Sequence, residues 1–253
     1  MDDVLKTWVI NLDRAPHRLA RITQQLQGLG LPFERLPAVD ARSLSTVQIA
    51  ALDRDAYRRL HGMEPLNGEL GCYLSHVLAM QRLLASTAEF GLLLEDDVLL
   101  TARLPAALQG LVRHAERWDM VKLSAVHSGT PQRVLEIAPG QHLAVMLSRC
   151  TGSSAYIVNR RAAKAYVDHL LPMRLPYDHV FDQGWRFGLK VRVLTPTPCL
   201  HDEDEASTIG SVGASRKLHW TRRRTTYSYR LGNEWRRLMY GLTQTWRERR
   251  QGR

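Results

Sequence analysis

An unbroken apolar run that ends in three acidic residues constrains the fold of this chain more than any other feature. Residues 90–94, FGLLL, lead directly into Glu95, Asp96 and Asp97, and apolar residues resume at Val98. Short continuous apolar runs are typical of strands buried on both faces, as in a parallel sheet. Adjacent carboxylates repel one another unless a counter-charge is supplied, and hard oxygen ligands suit Mg²⁺ or Mn²⁺. The strand therefore leads either to a metal site or to a solvated acidic turn.

The N-terminal part of the chain predicts a strand–helix–strand unit. Residues 4–12 form the first predicted strand, Asp13 caps a helix that runs to about Leu26, and residues 33–39 form the second strand. Such units build mostly parallel sheets, whose ligands bind beyond the carboxyl ends of the strands. Four polar residues follow these two strands at the expected binding edge: Asn11, Arg14, Arg18 and Asp40. The two arginines lie one helical turn apart and either face one phosphate together or are solvated.

Strand and helix patterns continue to alternate along the chain, which predicts an α/β fold with helices flanking the sheet. Helices are expected over residues 44–60, from about Cys72 to Leu84 and over 104–117, with a loop at 125–142. Lys122 lies at the end of a further buried strand, where ligands of such sheets bind, and is therefore a candidate cofactor-binding residue. Later strands are expected at 142–147, 155–158 and 190–200, and a helix begins near Asn159.

Two carboxylates in the segment PYDHVFDQGW are candidates for a general base. Asp178 and Asp182 are four residues apart, so a helix would place both on one face, where repulsion raises one pKa. The alternative is a pair of exposed acids on a helix face. Glu69 and His76 lie near the start of the helix that leads to the acidic triplet, although a lone histidine there is more often structural.

The positive charge of the chain is concentrated at its C-terminal end. The net charge is +10, and residues 216–253 hold 12 Lys or Arg against 2 acidic residues, so residues 1–215 are neutral. We therefore predict a catalytic domain over 1–215 and a separate basic, aromatic-rich segment over 216–253, in which 233–249 could be an amphipathic helix. Arginine mixed with tryptophan and tyrosine suits a membrane surface with anionic lipids, and it would also suit RNA. The alternative is a solvated tail or a helix packed on the body.

Composition limits the cellular context. No apolar run approaches the length of a membrane span, and the N-terminus has no signal-peptide pattern. Cys72, Cys150 and Cys199 match neither a zinc spacing nor a disulfide framework, and we expect them to be small buried hydrophobes. We predict a cytoplasmic protein at the inner face of the cytoplasmic membrane.

Five stretches occur in an order that resembles glycosyltransferase family 25, the lipooligosaccharide-type β-galactosyltransferases. They are VINLDRAPHR (9–18), LNGELGCYLSH (66–76), LLLEDDV (92–98), LPYDHVFDQGW (175–185) and ASTIG (206–210). The resemblance covers roughly residues 4–210. It implies a GT-A-like fold, a UDP-sugar donor (typically UDP-galactose), a Mn²⁺-type or Mg²⁺ metal, and inversion at the anomeric carbon.

The resemblance also implies roles for individual residues. Asp97, with Asp96, would bind the metal that bridges the donor diphosphate, and His201 is a weaker candidate for a late metal ligand. Glu95 completes the acidic triplet, while Asn11 and Arg14 fall in the strand motif that faces the nucleotide. The remaining matches fall near the active site, with one of the two aspartates as base: Glu69, His76, Asp178 and Asp182.

Together these features predict a metal-dependent, inverting hexosyltransferase that acts on a lipid-linked glycan such as lipooligosaccharide. Two other classes remain open. A Mg²⁺-dependent phosphoryl or nucleotidyl transferase also uses acidic strand ends, although the chain lacks a G-x-x-x-x-G-K-[ST] loop. An RNA-binding module acting through the basic segment is the third, but the neutral body disfavours nucleic acid as a partner.

Overall fold

The computed structural model describes residues 4–126, 129–201 and 217–251. The strands are β1 Leu5–Asn11, β2 Glu34–Pro37, β3 Phe90–Glu95, β4 Val98–Leu100, β5 Met120–Lys122, β6 Pro131–Ala138, β7 Gln141–Met146, β8 Ala155–Asn159, β9 Val191–Thr195 and β10 Cys199–His201. The helices are α1 Pro16–Gly28, α2 Thr46–Ala50, α3 Arg54–His61, α4 Asn67–Ala85, α5 Leu104–Arg113, α6 Arg160–His169, α7 Tyr177–Val180, α8 Gly184–Phe187 and α9 Arg224–Gln251.

An eight-stranded sheet with the order β2-β1-β3-β8-β5-β9-β7-β6 forms the centre of the protein. Six of these strands point the same way, and β8 and β7 are reversed. A small antiparallel pair, β10 with β4, lies beside the sheet. The predicted α/β class, a mostly parallel sheet flanked by helices, is confirmed.

The registers of the first three strands bring their carboxyl ends together. In the parallel pairings, Asn11 lies opposite Pro37 of β2, and Ile10 lies opposite Glu95 of β3. Since parallel strands share one carboxyl edge, the residues that follow β1, β2 and β3 converge. The acidic triplet therefore lies beside the strand motif that is 84 residues earlier in sequence, as the sequence predicts.

The core has two layers, one on each face of the sheet. Leu93 of β3 points to the layer formed by α4 and α6, with buried Trp8 and Tyr73. Leu92 and Leu94 point to the opposite layer, against α1 and α5. Alternation of side chains along a strand that is apolar on both sides produces this sandwich, which explains the unbroken apolar run before the triplet.

The C-terminal helix α9 packs against the body of the protein. Glu248 accepts hydrogen bonds from Arg192 at 2.6 Å and from Arg117 at 2.8 Å, and Arg192 and Glu248 are both buried. Near the helix centre, the Tyr240 hydroxyl donates to the Leu189 carbonyl at 2.7 Å, and Arg237 binds Asp182. One face of α9 therefore belongs to the folded body. The predicted domain division at 215/216 lies outside the described residues.

Several local expectations were wrong. Residues 131–138, expected as loop, form the edge strand β6, because their irregular pairing with β7 hides the strand pattern. The N-cap of α1 is Ala15, with Pro16 in the first turn, and Asp13 instead pairs with Arg35. The predicted helix at 44–60 is divided into α2 and α3. Within the described ranges, no helix is long and apolar enough to cross a membrane.

Candidate functional site

A pocket lies at the carboxyl ends of β1, β2 and β3, between these ends and the first turns of α1 and α4. It is called the donor pocket below. The acidic triplet forms one wall, and the other lining residues are Ile10, Leu12, Arg14, Arg18, Ala38, Val39, Ala41, Gly68, Cys72, Ser75 and His76. The pocket therefore combines carboxylates with two arginines at the position where sheets of this kind bind ligands.

Asp96 is held by residues of the β1–α1 motif. The Asn11 amide donates to Asp96 Oδ2 at 2.6 Å, and Arg18 Nη1 lies 3.4 Å from Asp96 Oδ1. Asn11 itself is fixed, since its amide also donates to the Ala15 carbonyl and its Oδ1 accepts from Arg35. Both Asp96 oxygens thus have protein partners, although burial still raises the pKa of this carboxyl.

Asp97 differs from its neighbour in the contacts of its carboxylate oxygens, although the charge of Arg18 also acts on it. Its Oδ1 is buried and has no hydrogen-bond partner among the described residues. Burial, followed by repulsion from Glu95 and Asp96, raises the pKa of Asp97 to about 7. A buried carboxylate in this state favours a bound cation, and oxygen donors suit Mg²⁺ or Mn²⁺. Asp97 therefore fits the predicted role of metal ligand. Asp96 could bind the metal only by giving up its contact with Asn11 or Arg18.

The rim of the donor pocket carries a second charge cluster. Arg14 and Arg42 both pair with Asp40, and their hydrogen bonds hold the pKa of Asp40 well below its usual range. Of the four polar residues predicted at this edge, Arg14 and Arg18 line the pocket, and Asn11 is connected to it through its hydrogen bond to Asp96. Asp40 orients Arg14 and does not itself line the pocket.

Glu95 and His76 form the floor between the donor pocket and a neighbouring cleft. His76 Nε2 lies 3.2 Å from Glu95 Oε1, and the Ser153 hydroxyl donates to the same oxygen at 3.1 Å. Ligand atoms of Cys72, His76 and Glu95 all lie within 4.8 Å of one another. Cys72 is thus a site residue, contrary to its expected role as a buried hydrophobe, whereas Cys150 and Cys199 are buried as expected.

The neighbouring cleft contains Asp178, and it is called the acceptor cleft after the role that is proposed for it below. Its lining shares Cys72 and Glu95 with the donor pocket and adds Glu69, Gly152, Ser153, Ser154, Pro176, Tyr177 and Asp178. Burial raises the pKa of Asp178, although Lys122 and the Gly152 amide oppose the shift. Glu69 accepts hydrogen bonds from the Leu66 amide and the Tyr57 hydroxyl, both at 2.9 Å, so it also anchors the start of α4.

Asp182 does not accompany Asp178 into this cleft. The expected shared helix is absent, because α7 ends at Val180. Asp182 is buried and accepts two hydrogen bonds from Arg237, at 2.9 and 3.1 Å. Lys122 also lies away from the donor pocket: it is buried, donates to the Cys150 carbonyl and faces the ring of Phe181.

The last predicted metal ligand can be located only by its backbone. His201 ends β10 and lies opposite Val98 in the antiparallel pairing, next to the end of the acidic triplet. Its side chain lies outside the described residues, as does the ASTIG stretch at 206–210. The register brings the backbone of His201 to the end of the sheet where the acidic triplet lies.

Sequence reasoning missed Tyr156, Tyr177 and Ser153. Tyr156 lies within an apolar strand and Tyr177 lies beside Pro176, so their sequence contexts indicate no functional role. Only the pairing of β8 with β3 brings Tyr156 opposite Leu93 and its hydroxyl to His76. Ser153 belongs to the small-residue run 151–154 just before β8, which was the available signal for a ligand-lining loop.

Comparison with known proteins identifies related sequences. A family model described as "Glycosyltransferase family 25 (LPS biosynthesis protein)" matches residues 4–181, well over half of the chain. A "Glycosyltransferase 25 family member" of Aedes aegypti is 31% identical over 121 residues, which is 45% of this chain and 20% of that protein. "Procollagen galactosyltransferase 2" of Homo sapiens is 29% identical over 122 residues, again covering 45% and 20%.

Longer alignments are more divergent. "Procollagen galactosyltransferase 1" of Danio rerio is 25% identical over 170 residues, covering 63% of this chain and 28% of that protein. The chain thus spans about a fifth to a quarter of the length of these curated relatives. Among solved structures, S. aureus TarS 1-349 in complex with UDP-GlcNAc aligns over 84% of this chain and 62% of that chain, with 17% identity and a TM-score of 0.47. That similarity is too low to support an assignment.

Proposed function

This chain belongs to glycosyltransferase family 25, and on that premise we propose that it transfers a hexose, galactose foremost, from a UDP-sugar to a hydroxyl group of a glycan. One observation carries the proposal. The donor pocket and the acceptor cleft adjoin, share Glu95 and Cys72, and each contains a partly buried carboxylate with a raised pKa: Asp97, beside Asp96, in the first and Asp178 in the second. Sugar transfer needs a group that binds the donor's cation next to a group that accepts the proton of the acceptor hydroxyl.

In the donor pocket, Asp97 would hold the divalent cation, with Asp96 as a secondary ligand. When bound, Mn²⁺ or Mg²⁺ supplies Lewis acidity that stabilises the negative charge of the leaving diphosphate. Arg18 and Arg14 bind the diphosphate oxygens by charge-assisted hydrogen bonds. Arg18 is buried and already contacts Asp96, so it can orient a phosphate without first losing many side-chain conformations.

In the acceptor cleft, Asp178 is the proposed general base. Its side chain is mostly buried, and its contacts are long: the Gly152 amide lies 3.5 Å from Oδ2 and His179 Nε2 lies 3.9 Å from Oδ1. A carboxylate with a raised pKa is better suited to accept the proton of an attacking hydroxyl than an ordinary aspartate. Asp182 lacks this freedom because both of its oxygens bind Arg237. Attack from the cleft side, opposite the diphosphate, would invert the anomeric carbon.

The acceptor is proposed to be lipid-linked, which would place the enzyme at the inner face of the cytoplasmic membrane. The outer face of α9 supports membrane contact. Six large side chains recur every three or four residues along it and are exposed: Tyr227, Leu231, Trp235, Met239, Leu242 and Trp246. This set is called the aromatic stripe below. Spacings of three and four residues place all six on one face of the helix.

Charge around the aromatic stripe fits an anionic surface. The segment 216–253 carries the whole net charge of +10, and one of its two acids, Glu248, is buried against Arg192 and Arg117. An amphipathic helix with tryptophans on its apolar face and arginines beside it is typical of helices that lie in a lipid interface. Because the opposite face of α9 is anchored to the body, the stripe remains exposed in the folded chain.

A donor screen tests the function. Purified chain is incubated with UDP-galactose, UDP-glucose, UDP-GlcNAc and nucleoside triphosphates, with and without Mn²⁺, in the presence of lipooligosaccharide as acceptor. We expect Mn²⁺-dependent UDP release with a galactosylated product, and at least 100-fold slower transfer by Asp178→Asn. Asp168→Asn, at an exposed position on α6 away from both sites, is the control. Product formation from nucleoside triphosphates alone would instead identify a phosphoryl or nucleotidyl transferase.

A further inference from the structure

A buried chain of hydrogen bonds connects the acceptor cleft to the acidic triplet. Glu95 Oε1 lies 3.2 Å from His76 Nε2, and His76 Nδ1 lies 2.8 Å from the Tyr156 hydroxyl. The Tyr156 hydroxyl lies 2.9 Å from that of Tyr177. His76, Tyr156 and Tyr177 are at most 3% exposed, whereas Glu95, at the other end, borders both cavities.

The donors and acceptors of this chain can satisfy one another in only one order when the ring is neutral. An ionised carboxylate can only accept, so His76 Nε2 donates to Glu95. His76 Nδ1 then accepts from Tyr156, whose oxygen accepts from the Tyr177 hydroxyl. Every donor therefore points toward Glu95, and polarisation of successive bonds strengthens the last one.

Aromatic packing holds the chain rigid. The His76 ring stacks on Tyr177 with centroids 4.2 Å apart and an interplanar angle of 6°. Tyr177 in turn stacks on Phe181 at 4.8 Å and meets the edge of Tyr73. Because the rings cannot reorient independently, the packing holds the plane of the His76 ring, and the hydrogen bonds decide which ring nitrogen donates to Glu95.

The ends of the chain lie beside the two proposed reactive groups. Glu95 lines both cavities, and its charge acts directly on Asp97. Tyr177 immediately precedes Asp178. We propose that Tyr177, Tyr156 and His76 are positioning residues that hold the Glu95 carboxylate toward the cation and donor side of the junction. This inference rests on the proposed function, and it adds two buried tyrosines to the residues on which transfer depends.

Removal of the Tyr156 hydroxyl has a specific expected effect. With Phe at this position, His76 Nδ1 loses the hydroxyl donor that favours the Nε2–H tautomer and polarises the ring. The Nε2–H hydrogen bond to Glu95 is then weaker, and the carboxylate is held less firmly in its present orientation. The negative field at Asp97 weakens, so affinity for a divalent cation falls although no cation ligand has been changed.

The test compares Tyr156→Phe and Tyr177→Phe with Tyr166→Phe as a matched control. The Tyr166 hydroxyl is equally buried and donates to the Phe181 carbonyl at 2.6 Å. It takes no part in the hydrogen bonds that run from Tyr177 to Glu95. Mn²⁺ affinity is measured by calorimetry with saturating UDP, together with kcat and KM for UDP-galactose. For Tyr156→Phe we expect at least fivefold weaker Mn²⁺ binding and tenfold lower kcat. For Tyr177→Phe both quantities should fall two- to threefold, and for Tyr166→Phe both should stay at the wild-type level.

A rescue arm separates positioning from simple structural loss. His76→Gln, whose amide nitrogen can donate to Glu95, should retain at least threefold tighter Mn²⁺ binding than His76→Leu. The proposal is overturned if Tyr156→Phe stays within twofold of wild type, if Tyr166→Phe loses as much, or if wild-type chain binds no Mn²⁺ with UDP. A wild type that binds Mn²⁺ but transfers no hexose would contradict the proposed function alone. The comparison of Mn²⁺ affinities would still decide whether the hydrogen bonds from Tyr177 to Glu95 position the carboxylate.

Discussion

Arg237 of α9 binds both carboxylate oxygens of Asp182, at 2.9 and 3.1 Å, and both side chains are buried. The pair joins the C-terminal helix to the loop just after α7, four residues beyond Asp178. It separates two aspartates that look equivalent in sequence, since one is part of a buried ion pair and the other lines a cleft.

Breaking this ion pair should destabilise the fold. Asp182→Asn or Arg237→Met leaves a buried charge uncompensated, which costs about 3 kcal/mol in the free energy of unfolding. Urea denaturation of both single variants and the double variant measures the coupling, and the double variant should lose clearly less than the sum of the two. Additive losses would show that the pair contributes no coupling. Asp178→Asn, in the cleft, should unfold near the wild-type urea concentration.

Asp97→Asn should remove the effect of Mn²⁺ without harming the fold. The substitution eliminates a buried negative charge that is repelled by Glu95 and Asp96, so we expect an unchanged or slightly higher Tm in the presence of EDTA. The wild type should gain stability with Mn²⁺ and UDP, as ligand binding to the native state requires. A Tm of the variant that rises with Mn²⁺ as much as that of the wild type would contradict the assignment of Asp97.

The aromatic stripe should be tested by surface substitution, since ending the chain at 215 would also remove the buried partners of Asp182 and Arg192. Leu231→Gln, Trp235→Gln and Trp246→Gln combined should reduce binding to phosphatidylglycerol vesicles tenfold or more. Leu78→Gln, at an exposed leucine of α4, is the matched control. Equal vesicle binding by all variants would exclude the stripe, and transfer to a soluble acceptor should remain normal throughout.

His179 should make stability depend on pH below neutrality. Burial, followed by the adjacent Arg149, lowers the pKa of His179 to about 3. Between that value and the unfolded pKa of about 6.5, the unfolded chain binds the proton and the folded chain does not, so stability falls as the pH falls. Relative to His179→Asn, the wild type should lose at most about 2 kcal/mol more between pH 7.5 and pH 5.

The control for this pH effect is His17→Asn, at an exposed position of α1. Its unfolding free energy should follow the wild-type pH profile. Parallel profiles for wild type and His179→Asn, measured by urea denaturation at five pH values, would contradict the inference about His179.

Gly71→Ala should distort the wall of the donor pocket. A Cβ at position 71 would lie 2.7 Å from the Val39 carbonyl oxygen, a backbone atom that borders the pocket. We expect a loss of about 2 kcal/mol in unfolding free energy and weaker UDP binding. Gly28→Ala is the control, because its Cβ would meet nothing within 4 Å. Normal UDP affinity in Gly71→Ala would show that the pocket wall can adjust.

The site near the acidic triplet was largely predictable because short stretches of sequence indicate both its strands and its charged residues. An apolar strand followed by carboxylates predicts both the sheet edge and its charge, and β1 carries Asn11 and the following arginines to the same edge. The structure brings Arg14, Arg18, His76 and the triplet to one pocket, and Asn11 holds Asp96 at its wall. Lys122 was misplaced because a strand end says nothing about which face of the sheet the side chain enters.

The amino-acid sequence by itself determined the α/β class, the strand that ends in acids, the concentration of charge after residue 215 and the family, because these depend on residue type and order along the chain. Only the tertiary structure decided that Asp182 is ion-paired while Asp178 lines a cleft, and that hydrogen bonds connect His76 to Tyr156 and Tyr177. It also decided that α9 is anchored on one face and exposed on the other. Those outcomes depend on partners such as Arg237, which lies 55 residues from Asp182. Distances of that kind arise from packing and sheet register, which no local pattern encodes.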